Sequence, residues 1–380
     1  MKIAHICLSC FYIDGFSYQE NELVKEHVRS GHDVIVIAST ENYVNAQLSY
    51  VQPVTYNGAD GATVIRLPYS SFLPHKVMTK LRMHPNLYEK LQAFDPDVIV
   101  FHGLCGWELR TVCKYKINNP KVKLWVDSHE DQNNSARTFG SKLLHNYFYR
   151  PVIQSVLQYI DIILCISLDT IEFVAKTYSV PRDKLHFFPL GAKIYNDDDY
   201  ESIRKVSRER YGLNANDILF IQTGKQNKRK KLIDSLNAFL STSNSNFKFF
   251  IIGSLSEDIS TDALTLIEQD DRISYLGWKD SDELQQLLCA ADIYLQPGTQ
   301  SATMQMALGA RCAVIVDDVL SHQPFVKANG WLINERLSLE DIMNTSKLDV
   351  FEIESMQENS HQIASNLLDY RKQAAFLLSF

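Results

Sequence analysis

The sequence predicts an α/β protein with two doubly wound domains, each built on a mostly parallel sheet. Short apolar runs rich in β-branched residues alternate with longer amphipathic stretches, which is the pattern of repeated βαβ units. The alternation begins again in the second half, although the two halves are not a recognisable sequence repeat. A chain of 380 residues is also too long for one ordinary hydrophobic core. Length and pattern together favour two domains.

Each predicted strand is a short apolar run that ends at a turn or at the start of a helix. The predicted strands are 2–7, 33–38, 62–67, 98–102, 123–127 and 162–167, then 218–223, 248–252, 273–276, 293–296 and 313–316. The helix predicted over 19–30 is closed by Gly31. The polar, acidic stretch 195–200 is the predicted hinge, and the triplet 197–199 is interpreted as a solvated linker.

The composition is that of a globular protein, with 45% hydrophobic and 22% charged residues. A net charge of -7 argues against a nucleic-acid partner, because a phosphate-binding surface normally gives a basic excess. We expect a cytoplasmic protein, because no signal-peptide pattern or long apolar run is present. The odd set of seven cysteines fits reduced, buried thiols. Paired Cys or His spacings typical of a metal site are missing from the sequence.

Basic residues are concentrated directly after the predicted strand 218–223 and Gly224. They are Lys225, Lys228, Arg229, Lys230 and Lys231. Cations at the start of a helix oppose the helix dipole, so this cluster is costly unless an anion lies among them. A diphosphate is such an anion. The alternative is a solvated basic turn, which is what a run of charges alone usually indicates.

A second segment, residues 291–308, runs from a predicted strand into small and hydroxyl-bearing residues that open a helix. Backbone N–H groups and hydroxyls at the positive end of a helix can hold a phosphate or sugar hydroxyls. The alternative is an ordinary N-capped turn between a strand and a helix.

Together these two segments resemble the donor-binding half of the retaining glycosyltransferases of the GT-B fold, family 4 type. In that family a strand ends in Gly-Arg or Gly-Lys and a lysine follows before the helix; Gly224, Lys225 and Lys230 fall on those positions. The resemblance covers nearly the whole chain. Its other segments are 15–21, 31–37, 95–103, 125–131, 188–191, 276–278 and 290–297, with Gly253 after its strand.

The resemblance implies two Rossmann-like domains that face a cleft, with a C-terminal helix that crosses back to the first domain. The implied boundaries are 1–193 for the acceptor-side domain, 194–348 for the nucleotide-sugar-binding domain and 349–380 for the C-terminal helices. Lys225 and Lys230 would neutralise the nucleotide diphosphate as the sugar leaves, without a metal or another cofactor. The residues expected to contact the nucleotide sugar are Gly15, Phe16, Gly224, Gly253, Pro297, Gly298, Thr299, Ser301, Ala302, Thr303 and Gln305.

One departure from the family concerns two glutamates that normally lie eight positions apart in the second segment. Gln305 falls on the position of the second, where it can still hydrogen-bond a ribose diol. Counting back eight positions reaches Pro297, so the first glutamate has no counterpart and Ser301 is the nearest polar residue. Sugar binding and turnover are therefore the properties that this departure affects.

His129 follows a predicted strand at the position where the family has a histidine beside the donor sugar. We expect it to hydrogen-bond and hold the sugar. The alternative is a histidine satisfied by the neighbouring Asp127, Glu130 or Asp131. His102 ends another predicted strand and is interpreted as structural, and residues 20–21 are either part of the site or a helix cap.

Segments 75–84 and 142–150 mix basic, aromatic and aliphatic residues on an otherwise acidic protein. They could rest on an anionic inner leaflet where a lipid-linked acceptor is available. The alternative is a pair of surface helices that pack their apolar stripes into the domain.

The predicted function is the transfer of a sugar, with retention of anomeric configuration, from a nucleotide-diphosphate donor to a saccharide or lipid-linked acceptor in surface-polysaccharide synthesis. Two alternatives stay open. One is a nucleotide-sugar epimerase or hydrolase on the same fold, and the other is a catalytically weak partner protein that binds a nucleotide sugar. A nicotinamide dehydrogenase is disfavoured, because G-x-G-x-x-G follows neither first strand.

Overall fold

A computed structural model describes residues 1–44, 47–298, 301–345 and 348–379. The chain forms two compact units, the first of Met1–Pro189 with Tyr370–Phe380 and the second of Leu190–Asp369. The predicted segment 349–380 is thus divided between the units. Its last helix belongs to the first unit, as the fold prediction requires, whereas the preceding helix belongs to the second.

The first unit is built on a mainly parallel sheet with the strand order β10-β9-β8-β7-β1-β2-β6-β5. Its strands are β1 (Lys2–Cys7), β2 (Asp33–Ser39), β5 (Thr55–Asn57), β6 (Thr63–Leu67), β7 (Val98–Phe101), β8 (Lys123–Ser128), β9 (Ile162–Cys165) and β10 (Leu185–Phe187). A separate antiparallel pair contains β3 (Glu41–Val44) and β4 (Gln47–Tyr50). Only β5 joins the main sheet antiparallel.

Helices cover both faces of this sheet. They are α1 (Gln19–Arg29), α2 (His75–Leu81), α3 (Leu87–Phe94), α4 (Glu108–Asn118), α5 (Phe139–Leu144), α6 (Arg150–Val156), α7 (Leu168–Tyr178) and, from the C-terminus, α15 (Tyr370–Phe376). Ile99 and Phe101 enter the core on one face, whereas Val98 and Val100 enter the core that includes Ala374 of α15. Successive strand residues point to opposite faces, so a strand buried on both sides must be apolar throughout.

The second unit has a parallel sheet in the order β13-β12-β11-β14-β15-β16. Its strands are β11 (Ile218–Thr223), β12 (Phe247–Ile252), β13 (Ile273–Gly277), β14 (Ile293–Gln296), β15 (Ala313–Asp317) and β16 (Gly330–Ile333). Its helices are α8 (Asp197–Arg210), α9 (Leu232–Leu240), α10 (Ser260–Ile267), α11 (Ser281–Ala290), α12 (Ala302–Gly309), α13 (Leu339–Met343) and α14 (Val350–Leu367). Both units are therefore doubly wound, as predicted.

The interpretation of residues 197–199 as a solvated linker is wrong. These aspartates form the first turn of α8, and the Asn196 side chain caps the helix by accepting a hydrogen bond from the Asp199 backbone N–H at 2.8 Å. Carboxylates at a helix N-terminus interact favourably with the helix dipole, so the acidic run begins a helix here. The first unit ends earlier, at Pro189.

Candidate active site

The basic loop of the second unit, residues 224–231, connects β11 to α9. It begins at Gly224, whose φ of 107° lies in the region that favours glycine, and then makes a single 3-10 turn over Lys228–Lys230. The Asn227 side chain accepts a hydrogen bond from the Arg229 backbone N–H at 3.0 Å. The turn therefore brings the basic residues to the carboxyl end of β11, where parallel sheets of this type bind ligands.

Three glycines pack backbone against backbone at this edge. A Cβ atom on Gly298, which follows β14, would lie 2.0 Å from the Arg229 carbonyl oxygen. A Cβ atom on Gly253, which follows β12, would lie 2.0 Å from the Gly224 carbonyl oxygen. Since β12, β11 and β14 are neighbours in the sheet, the structure brings together Gly224, Gly253 and Gly298, all of which were predicted site residues.

The basic side chains of the loop differ in their surroundings. Lys231 forms an ion pair with Asp317 at 2.6 Å, whereas Lys225 is exposed. Lys230 is half-buried, and this burial lowers the pKa of its ammonium to about 8. Burial disfavours the charged form, so an anion near Lys230 would stabilise the ammonium.

The buried side chain of Gln222 supports the basic loop through hydrogen bonds. Gln222 donates hydrogen bonds to the Lys230 carbonyl at 2.9 Å and to Gln226 Oε1 at 3.2 Å. Gln226 is fully buried, and its backbone N–H donates to the Ser254 carbonyl at 2.8 Å. These bonds fix the path of the backbone that carries Lys225 and Lys230. Gln222 could not be identified from the sequence, because an isolated polar residue in an apolar strand gives no functional signal.

The hydroxyl groups beside α12 form a connected cluster. Thr303 Oγ1 lies 2.7 Å from the Tyr294 hydroxyl and 2.9 Å from Ser301 Oγ, and the Tyr294 hydroxyl also donates to Gln296. Burial raises the pKa of Tyr294 to about 12, so its hydroxyl stays neutral and can donate. The predicted site residues Ser301 and Thr303 are thus linked to each other and to the strand below them.

The other predicted residues of this segment differ in exposure. Pro297 is buried, Ala302 is exposed and Gln305 is 1% exposed. Thr299 lies outside the described residues. Neither the Ser301 nor the Gln305 side chain carries a negative charge.

In the first unit, His129 lies at the carboxyl end of β8 and close to two carboxylates. Its Nε2 atom is 3.7 Å from Asp127 Oδ1 and 4.0 Å from Glu20 Oε1, and its side chain is 34% exposed. Burial opposes protonation, but the Asp127 carboxylate outweighs it and raises the pKa of His129 to about 9. His129 is therefore mainly an imidazolium at neutral pH, able to donate a hydrogen bond to an oxygen.

Asp127 is the centre of this part of the site. It accepts hydrogen bonds from His102 Nδ1 at 2.5 Å and from the Gly103 backbone N–H at 2.7 Å. Burial alone would raise its pKa, but the charges of His102 and His129 hold the pKa of the carboxyl far below its usual range. Asp127 was considered only as a partner that would satisfy His129, and its link to His102 could not be predicted.

Glu20 and the turn before it complete the same edge of the sheet. Gly15 has a φ of 75°, and the ring of Phe16 stacks on Tyr43 with centroids 6.1 Å apart. Glu20 lies in the first turn of α1 and makes no side-chain cap, so the capping alternative is not observed for it. Its approach to His129 follows from the adjacency of β1, β7 and β8, which local sequence does not reveal.

Neither a metal-binding cluster nor a membrane-spanning helix occurs among the described residues. No three His, Cys, Asp or Glu side chains in that part of the chain are arranged to hold a metal ion. None of its helices combines the length and apolar character needed to cross a bilayer.

Comparison with known proteins gives one family and a set of similar structures. Residues 15–194 match the family model described as Glycosyltransferase Family 4. The crystal structure of Anabaena HepE in complex with UDP is 14% identical, with a TM-score of 0.68 over 100% of this chain and 98% of that chain. Sucrose-phosphate synthase from Thermosynechococcus elongatus, also 14% identical, gives 0.63 over 99% and 97%. No curated protein matches the sequence at a significant level.

A third similar structure is WaaG, a glycosyltransferase involved in lipopolysaccharide biosynthesis. It is 16% identical and gives a TM-score of 0.61 over 99% of both chains. At these identities the structures show the fold, which is GT-B. The family match covers most of the first unit.

Proposed function

We propose that this protein is a retaining glycosyltransferase whose second unit binds the diphosphate of a nucleotide-sugar donor. The observation that carries the proposal is the position of Lys230, half-buried in a loop whose backbone packs directly against Gly298. A buried ammonium with a lowered pKa is costly in the free protein, and a diphosphate would offset that cost. The UDP bound to HepE, which has the same fold, is consistent with such a donor.

In the proposed reaction, the bond between the anomeric carbon of the sugar and the diphosphate oxygen breaks as the acceptor hydroxyl forms the new glycosidic bond. The proton of that hydroxyl passes to the departing phosphate. Lys225 and Lys230 stabilise the negative charge that develops on the diphosphate, which is the role that a divalent cation has in other transferases. No metal or further cofactor is needed in this scheme.

His129 is proposed to hydrogen-bond the donor sugar and hold it for attack. Its raised pKa supports this role, since an imidazolium donates to hydroxyl oxygens over the whole neutral range. Asp127 orients the ring and balances its charge. Gly15 and Phe16, at the start of the same edge, are also proposed to contact the nucleotide sugar.

We further propose a saccharide or lipid-linked acceptor at the cytoplasmic face of a membrane. The supporting surface, called here the basic-apolar face, consists of α2, α5, the π-helical turn 145–149 and Arg150 at the start of α6. Phe139 and Tyr147 are 79% and 77% exposed, and Lys142 is exposed between them. The Tyr149 hydroxyl donates to the Lys80 carbonyl, so the two helical segments are adjacent. WaaG, which acts in lipopolysaccharide biosynthesis, has the same fold.

One observation favours a second candidate, a protein that binds a nucleotide sugar without turning it over. The loop and helix that carry two glutamates in the family have Ser301 and the buried Gln305 instead. This candidate predicts donor binding with no product in the presence of any acceptor.

The test is calorimetric titration of the purified protein with a panel of nucleotide sugars, followed by NMR identification of the product anomer. Lys225→Ala and Lys230→Ala should each weaken diphosphate binding by about 1.5–3 kcal/mol, because each removes a charge-assisted bond. Lys205→Ala, on the exposed surface of α8, is the matched control and should bind normally. Unchanged UDP and GDP titrations in both loop variants would falsify the diphosphate site, and an inverted product would exclude retention.

A further inference from the structure

Three buried histidines of the first unit form a continuous hydrogen-bonded chain between α15 and Asp127. His27 Nε2 lies 3.0 Å from the Ala374 carbonyl oxygen, and His27 Nδ1 lies 2.9 Å from His5 Nε2. His5 Nδ1 lies 2.9 Å from His102 Nε2, and His102 Nδ1 lies 2.5 Å from Asp127 Oδ2. None of the three residues is more than 1% exposed.

The chemistry of the two ends fixes the number of protons in this chain. A carbonyl oxygen and a carboxylate oxygen both accept hydrogen bonds, so a donor must face each end. Two further protons are needed for the contacts between the rings. The four contacts therefore require four protons, whereas three neutral imidazoles carry three. When all four hydrogen bonds are formed, the three rings and Asp127 together hold one proton more than three neutral imidazoles and an ionised carboxylate would hold.

The surroundings place the extra proton at the end of the chain beside Asp127. The Ala374 carbonyl orients His27 as an Nε2–H donor, and the extra proton is most stable on the ring beside the carboxylate. His27 and His5 therefore accept at Nδ1 and donate at Nε2, and His102 donates at both nitrogens. The Gly103 N–H donates to the other oxygen of Asp127 at 2.7 Å, which favours the ionised carboxylate. His102 is thus an imidazolium, whereas His5 and His27 are neutral.

We propose that the hydrogen-bonded chain of His27, His5 and His102, called here the relay, holds one extra proton. Through this proton helix α15 fixes a positive charge beside Asp127, and this charge affects the protonation of His129. The three histidines are positioning residues, since they act on the site through Asp127. The effect on sugar transfer rests on the proposed function, whereas the proton content of the relay does not.

Other ionisable groups also face the relay. They are Cys7, Glu20, His32 and His129, with Glu130 facing His129. Each of these is unchanged in the variants below, so a difference between variants reports the relay itself. The low pKa of His27 and of His5, caused mainly by burial, and the raised pKa of His102 agree with the proton positions derived from geometry.

The test compares His27→Gln with His27→Leu in the full chain by ¹⁵N NMR of the histidine rings. Glutamine can donate to the Ala374 carbonyl and accept from His5, so the direction of the relay and its extra proton are kept. Leucine can do neither. His5 and His102 can then form the His5–His102 and His102–Asp127 hydrogen bonds with two protons. His102 therefore no longer has to be an imidazolium.

In the wild type and in His27→Gln, both ring nitrogens of His102 should carry protons at pH 7. In His27→Leu, His102 should lose its extra proton at a lower pH, and the pKa of His129 should rise by about one unit because a neighbouring cation is lost. A neutral His102 in the wild type at pH 7, or the same titration of His102 in all three proteins, would overturn the proposal. The wild-type spectrum keeps the test valid even where the leucine variant does not fold.

The pH profile of sugar transfer forms a separate arm. The limb of the pH profile that reflects His129 should shift to higher pH in His27→Leu and stay unchanged in His27→Gln. Lys230 is identical in all three proteins, so its titration cannot cause a difference between them. A difference between the variants in the NMR titration, without sugar transfer by any of the proteins, would contradict the proposed function but not the relay. Turnover with no NMR difference would contradict the relay alone.

Discussion

The environment of Lys230 distinguishes it from its basic neighbour in the loop. The neighbouring Lys231 is neutralised by Asp317, but burial lowers the pKa of Lys230 to about 8. The proposed diphosphate would stabilise the ammonium and raise that pKa again. Binding of the anion and protonation of Lys230 are therefore coupled.

The coupling predicts a pH-dependent affinity. The free protein loses the Lys230 charge as the pH rises through about 8, whereas the complex keeps it, so diphosphate affinity should fall by up to about tenfold per pH unit above 8. Calorimetric titration with UDP at pH 7, 8 and 9 measures this slope. Lys230→Arg is the control, because its side chain stays charged and the slope should disappear. Equal slopes in both proteins would assign the effect to another group.

A second prediction for a single residue concerns Gly298. Alanine at position 298 would combine a strained φ of 100° with a Cβ atom 2.0 Å from the Arg229 carbonyl, so the basic loop must move. We expect Gly298→Ala to destabilise the protein by about 2 kcal/mol or more and to weaken diphosphate binding at least about tenfold. Gly212→Ala separates the two causes, since φ there is 64° but no atom lies within 4 Å of the added Cβ.

The outcome is measured by thermal denaturation and by UDP titration of both variants. Gly212→Ala should lose stability through strain alone and keep its affinity. Normal UDP binding in Gly298→Ala would show that the contact between the two loops does not shape the site.

The sequence was informative about individual residues where the backbone imposes a chemical requirement. Gly224, Gly253 and Gly298 follow recognisable strands, and the structure shows at Gly253 and Gly298 two close approaches that only glycine permits. Asp127 was among the predicted partners of His129, whereas Glu20 was not. Asp127 and Glu20 are brought together by the order of β1, β7 and β8, which depends on pairing between distant segments.

At the scale of elements, α8 is anchored to the sheet by its buried charges. Arg208 donates to Asp292 at 3.0 Å, and Arg204 also pairs with that carboxylate. Asp292 precedes β14 and accepts a hydrogen bond from the Leu219 backbone N–H at 2.7 Å. Helix α8 is therefore a structural part of the second unit.

Removing the cap of α8 should have a measurable cost. Asn196→Ala leaves the Asp199 N–H without its side-chain acceptor, and we expect a loss of about 1 kcal/mol, or a Tm about 2–4 °C lower. Asn196→Asp is the matched control, because aspartate also caps and should keep the wild-type Tm. The measurement is differential scanning calorimetry of both variants, and equal Tm values for alanine and wild type would contradict the role of the cap.

The strands and helices that the sequence predicted were those with a strong, continuous pattern. The predicted strands 2–7, 218–223 and 293–296 have the observed bounds, because each is an apolar run closed by a turn. The short strands β5 and β10 were missed, since three residues are too few for a pattern. β16 was also missed, and its place at the sheet edge comes from pairing with β15.

For the whole molecule, the basic-apolar face predicts reversible binding to anionic membranes. Each basic residue near such a surface contributes about 1 kcal/mol, so loss of the Lys142 and Arg150 charges costs about 2 kcal/mol. Reversing both to glutamate should therefore lower vesicle binding by at least roughly thirtyfold. Sedimentation with phosphatidylglycerol vesicles measures the effect, and phosphatidylcholine vesicles should bind little. Lys205→Glu with Lys248→Glu, in the second unit, is the charge-matched control. Equal binding of both double variants would argue against this face.

The return of α15 to the first unit has a consequence for biosynthesis. The first unit cannot be completed when Pro189 leaves the ribosome, because α15 follows only after the 180 residues from Leu190 to Asp369. At about 5–20 residues per second, this delay is roughly 10–40 s. During that time the nascent chain presents the apolar surface around Leu23 and Val24, which later shares a core with Ala374 and Leu377, to chaperones and to other nascent chains.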